Sequence, residues 1–223
     1  MTKEQTPIKS NLLKLKEWLT VPEAARHLSI LFSEEVSEAD ILRSALDGRL
    51  KLSVNFLNNE AAKPGKVVSY ENVEWYTPEE LSDGDIRHNM KSYAEDGRAM
   101  KSVRIDGQRY LNLSEGHIYI NGIWDLIMIY NVPRYLENRY QELTGGPYVA
   151  NIPLRGVFLE KDGLVRQLLK SDAGAEDILA DTYSYTKVLP SDSLLVVRTQ
   201  ALMDLEENLS SEESTKGTLS GAS

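Results

Sequence analysis

The sequence predicts an α+β protein: an N-terminal helical module followed by a mostly antiparallel β domain with one or two helices. Three observations lead there. Apolar residues recur at helical spacing before residue 47, they alternate with polar residues from Leu50 onward, and Asp-Gly or Asn-Gly pairs punctuate the second half.

In chain order, residues 1–10 read as a flexible polar tail. Leu12, Leu15, Trp18 and Leu19 are spaced for a first helix. Thr20 is then an N-cap, with Pro22 in the first turn and Glu23 completing a capping box. The helix that follows sets Ala24, Ala25 and Leu28 on one face. The run from Ser29 to Glu35 reads as an expanded turn in which Ile30, Leu31 and Phe32 bury themselves. Ser37 caps the next helix, which carries Ile41, Leu42, Ala45 and Leu46 and stops at Gly48. Leu50, Leu52, Val54 and Phe56 alternate as a half-buried strand, and the turn-rich stretch 58–65 leads to a second apolar run at 67–70. One small core of Trp18, Leu19, Ala24, Ala25, Leu28, Ile41, Leu42, Ala45, Leu46, Leu50 and Leu52 is expected.

Residues 77–99 read as a linker or long loop, which separates a module at 11–76 from an α+β domain at 100–209. Within that domain, Asp106-Gly107 and Asn121-Gly122 mark two hairpin turns of a meander, and 161–163 marks a third. A helix is expected over Pro133–Leu143, ended by Gly145-Gly146. An acidic loop at 170–183, a buried strand over Ser193–Thr199 and a helix over Gln200–Leu209 follow. Residues 210–223, rich in Ser, Thr and Gly, should be disordered.

Composition narrows function. The absence of cysteine excludes disulfides, thiolate catalysis and Cys-based zinc sites. The three histidines, His27, His88 and His117, are too few and too scattered for a His-rich metal site, and His27 reads as a surface residue. No apolar run is long enough to span a membrane. The first residues carry no apolar signal segment, so a cytoplasmic protein is expected. No phosphate-binding glycine loop is present, and the acids of 83–96 and 172–181 follow no ligand spacing. The chain is therefore read as non-enzymatic, without cofactor or metal.

One motif is specific. LTVPEAARHL, then VSEADILRSALDGRLKL, resembles the excisionase-like and mercury-regulator-like winged helix-turn-helix. Leu19, Thr20, Val21, Glu23, Ala24, Ala25 and Leu28 match its first half; Val36, Ser37, Ile41, Arg43, Gly48 and Leu50 match its second. The resemblance implies a wing after Gly48 and a regulatory protein that binds duplex DNA. Arg43, Arg49, Lys51 and, at the wing, Lys63 and Lys66 would meet phosphates. The second domain would then serve oligomerisation or partner binding.

Two features depart from the family. The turn between the helices is expanded, and the recognition helix opens on Glu38 and Asp40, which phosphates repel. Residues 1–56 hold eight Lys and Arg against eight acids, so the net charge of −9 lies beyond them. The alternative is a protein-interaction module whose helix-turn-helix has lost DNA binding, with Glu38 and Asp40 facing a basic partner.

Overall fold

A computed structural model describes residues 15–77, 92–93, 98–150, 155–171, 183–186 and 188–219. The class is α+β. Among the described residues four α-helices accompany a nine-stranded antiparallel sheet that closes partly into a barrel, with a separate two-stranded ribbon. Among the described residues no helix is long and apolar enough to cross a membrane.

Strand β1 (Trp18–Thr20) lies where the sequence predicted the end of a helix. Its Leu19 faces Val197 of β11 (Leu194–Arg198), and backbone pairing with that strand overrides the local helical spacing. The rest of the expected helix, residues 11–14, lies outside the described residues. Thr20 then caps α1 (Val21–Phe32) as expected. Its side chain accepts from Glu23 N, and the Glu23 carboxylate accepts from Thr20 N at 3.0 Å.

Glu23 also meets Lys16 Nζ at 2.6 Å. That bond, followed by the Thr20 backbone N–H, lowers its carboxyl from 4.5 to about 2. Because the folded pKa is depressed, the associated stability is present above the unfolded value and is lost as pH falls through the folded one. Thr20→Ala should cost about 0.5–2 kcal/mol, as loss of an N-cap generally does. Lys16→Met, which removes the largest cause of the depression, should move the Glu23 titration upward toward 4.5 in a carboxyl NMR experiment. An unchanged Glu23 titration in Lys16→Met would show that Lys16 does not hold it.

Helix α2 (Glu38–Leu46) packs on α1 and on α3 (Asn131–Thr144). Gly48, just past its end, takes the left-handed φ of +73° that the sequence anticipated. The chain then enters β2 (Ser53–Val68), a single 16-residue strand. The expected turn at 58–65 is therefore absent, and with it the wing. Two features explain the difference. Leu57–Asn59 bulge out between the pairs Phe56–Gly122 and Glu60–Ile120, so the polar residues there bend the strand without ending it. Pro64 and Gly65 stand where β2 changes partners: Gly65 faces Val165 of β9 (Leu164–Ser171) on one edge and Leu113 of β6 (Tyr110–Leu113) on the other. The glycine is needed for close approach, since a Cβ there would lie 2.5 Å from the Leu111 side chain.

The long strand organises the sheet. It pairs with β11 and with β7 (Ile118–Leu126); β7 pairs with β8 (Phe158–Lys161), β8 with β9, and β9 returns to β2. Strands from both sides of residue 77 thus share one sheet, and one apolar core runs from Leu19 and Leu42 to Trp124, Leu168 and Leu205. Of the expected core residues, Leu46 is half-buried against that core, Trp18 is half-buried and outside it, and the others are buried in it.

Asp106-Gly107 does turn a hairpin, between β5 (Val103–Arg104) and β6. The Asp106 carboxylate accepts from the backbone N–H groups of Gln108 and Arg109. Asp162 and Gly163 turn the β8–β9 hairpin, both at positive φ. Asn121-Gly122 does not turn the chain. It lies inside β7, where Gly122 at φ +69° sits beside the bulge of β2.

Most of 77–99 and of 170–183 lies outside the described residues. The parts that are described include β3 (Ser92–Tyr93) paired with β4 (Ala99–Met100), and β10 (Tyr183–Tyr185) on β9. Helix α3 ends on Gly145 at φ +72°, as expected. Helix α4 (Thr199–Leu219) continues ten residues beyond the expected end at Leu209, so 210–219 is helical rather than disordered. Residues 220–223 lie outside the described residues.

Candidate functional site

The corner between α1 and α2 concentrates the exposed features of the N-terminal region. Val21, Ala24, Ala25 and Leu28 occupy the buried face of α1 at helical spacing. The helix then continues one more turn through Ser29–Phe32, residues expected to form a buried turn. Ile30 falls off the buried stripe and is 66% exposed, and Phe32 at the last position is 39% exposed. Leu31 alone of the three packs on the core. Ser33 ends the helix in the left-handed region at φ 55°. Ser29 Oγ accepts from Val36 N at 2.8 Å and donates to the Ala25 carbonyl at 2.9 Å, which ties the connection back to the helix.

The connection carries Glu34 and Glu35, both exposed. Ser37 then caps α2. The Asp40 carboxylate accepts from Ser37 N at 2.8 Å and from Ser37 Oγ at 2.6 Å. The Ser37 hydroxyl, then its backbone N–H, hold the Asp40 carboxyl below its ordinary range. Asp40 is thus a capping residue as well as an exposed negative charge, and Glu38 beside it is half-buried. Among the described residues none of Glu34, Glu35 and Glu38 forms an ion pair with a cation; exposed Arg26, one turn before Ile30, is the nearest cation along α1. Ile30 and Phe32 each leave apolar surface at the end of α1, and the acids Glu34, Glu35, Glu38 and Asp40 follow them in the chain.

The basic residues expected at a DNA surface are divided between distant parts of the fold. Arg43 is exposed on α2, with Nε 3.3 Å from Asp47 Oδ1. Arg49 is exposed beyond Gly48. Lys51 Nζ lies 3.8 Å from Asp125 Oδ2. Lys63 and Lys66 belong to the far half of β2, opposite Gln167 and Asn112, and form no wing tip.

Asp125 is the centre of a network that sequence spacing did not suggest. It accepts from Ser53 Oγ at 2.7 Å and from Arg198 Nε at 2.6 Å, joining β2, β7 and β11. Near it, Arg109 bridges Asp106 at 2.6 Å and Glu160 at 2.8 Å. Asp125, Asp106, Arg109 and Glu160, with Lys51, line a cavity of about 320 Å³ by the end of α2, together with Leu50, Leu126 and Ile127. His27, expected at the surface, is largely buried and its Nε2 lies 2.9 Å from Glu206 of α4. Partners so far apart in sequence leave no local signal. Ile30 was recoverable, because the 21, 24, 25, 28 stripe extended by one turn leaves position 30 outside it.

Among the described residues no three His, Asp or Glu side chains converge as a metal site. No family model, curated protein or solved structure matches the chain.

Proposed function

We propose that this protein is a non-enzymatic interaction module that engages a basic, amphipathic segment of a partner protein through the α1–α2 corner. The observation that carries this reading is that Ile30 and Phe32 are exposed at the end of α1 and are followed, within eight residues of Phe32, by Glu34, Glu35, Glu38 and Asp40. Exposed apolar groups give a partner area to bury, and the carboxylates that follow select its charge. A second copy of a chain with net charge −9 is a poor occupant for such a surface.

Duplex DNA is the competing reading. It draws support from the capped helix pair and from Arg43, Arg49 and Lys51, but Asp47 and Asp125 already partly neutralise two of those cations. The acidic first turn of α2 also faces phosphates unfavourably.

A fluorescent, capped, helix-forming peptide with one Leu face and one Lys/Arg face distinguishes the two, with random-sequence duplex DNA titrated in parallel at low salt. The peptide should bind, and Ile30→Ser with Phe32→Ser should weaken it about tenfold or more, on the scale of lost interface anchors. Arg43→Glu should not weaken it. Retardation of the duplex that Arg43→Glu abolishes, without peptide binding, would establish the DNA reading instead.

A further inference from the structure

A second surface lies on the barrel, away from the helix pair. The bulge of β2 stands beside the segment 188–192, and between them runs a groove of about 590 Å³. Two large apolar side chains that line it are left in solvent: Tyr119, 62% exposed, and Val188, 44% exposed. Tyr119 is oriented by an edge-on contact with His117, the ring centroids 5.5 Å apart. Large apolar side chains gathered about one groove differ from scattered surface hydrophobes and mark an interaction site.

The groove also holds a charge imbalance. Glu60 and Asp192 both line it. Asp192 accepts from Asn58 Nδ2 at 2.6 Å, whereas Glu60 has neither a hydrogen-bond donor nor a cation among the described residues. Burial, then the neighbouring Asp192 charge, raise the Glu60 carboxyl above its ordinary value. Lys170 lines the same groove but is exposed and forms no ion pair with either carboxylate. Two like charges at a partly desolvated site are unfavourable until a cation comes between them.

We propose that this groove docks an extended, basic segment of a partner protein, which sets an Arg or Lys side chain between Glu60 and Asp192 and apolar side chains on Tyr119 and Val188. The apolar rim requires more than a simple ion, and Tyr119 offers its ring both to an aliphatic side chain and to the cation. The acidic groove and the chain's net charge of −9 disfavour a second copy as occupant. The inference rests on none of the α1–α2 residues and stands if that surface proves unused.

The test is calorimetric titration of the full chain with a capped hexapeptide alternating Val and Arg, and with the same peptide carrying citrulline, the neutral isostere, for Arg. The Arg peptide should bind about tenfold or more tightly than the citrulline peptide, as expected for charges paired in a partly desolvated site. Glu60→Gln with Asp192→Asn should reduce the Arg peptide to the citrulline level, and Val188→Ser or Tyr119→Ala should weaken both peptides. The carboxylate variant should melt no lower than the parent, because it removes a repulsion, which separates lost binding from lost folding. Binding unaffected by the carboxylate variant would overturn the proposal. So would binding lost only with Ile30→Ser and Phe32→Ser, or no binding at about 1 mM peptide, the weak limit of a specific contact.

Discussion

Leu42→Ala should destabilise the protein by about 2–5 kcal/mol, the range for truncating a buried leucine. Leu42 is 2% exposed, on the α2 face that packs against α1 and α3. Truncation would leave a void that the surrounding helices can close only in part. The same core continues without a break into Trp124, Leu159 and Leu168 of the barrel. The loss should therefore appear in one cooperative transition, with helical and sheet signals moving together in denaturant. Separate transitions, with only the helical one shifted, would show that the helix pair folds apart from the sheet. Ile30→Ser is the contrasting case. At 66% exposure it should change stability by less than about 0.5 kcal/mol.

Gly65→Ala should cost about 1–3 kcal/mol, an overpacking effect out of proportion to one added methyl group. The new Cβ would lie 2.5 Å from Leu111 Cδ1 and 2.7 Å from its Cγ. Leu111 is wholly buried and packs with Val103, Phe158 and Val165, so it has no free space to move into. The strain falls where β2 passes from one set of partners to the other, and should weaken the β2–β9 pairing that closes the barrel. Gly65→Ala combined with Leu111→Ala should cost less than the sum of the two single changes, because the second vacates the space the first requires. Strict additivity in urea melts would show that the two residues do not meet.

The parts of the fold legible in the sequence are those set by neighbours a few residues apart. Thr20 with Glu23, Ser37, Gly48, Asp106-Gly107, Asp162-Gly163 and Gly145 all act where their types predict. The errors fall where a distant partner decides. Trp18–Thr20 is a strand because β11 lies beside it, and 58–65 is strand rather than turn because β7, β6 and β9 pair along it. Gly65 and Gly122 looked like turn glycines; one serves a close approach and the other accompanies a bulge. The candidate sites follow the same division. Glu38, Asp40 and Arg43 were visible as helix residues, while the meeting of Asp125 with Arg198, or of Glu60 with Asp192, depends on the sheet register.

The most direct test of the α1–α2 reading is amide chemical-shift mapping of the labelled protein with the amphipathic basic peptide. Residues 30–40 should shift in a saturable, salt-sensitive way, with Ile30, Phe32 and Glu34 among the largest changes, and Ile30→Ser with Phe32→Ser should remove them. An absence of peptide-induced shifts there, together with duplex-induced shifts centred on Arg43, Arg49 and Lys51, would contradict the account and return the helix pair to DNA.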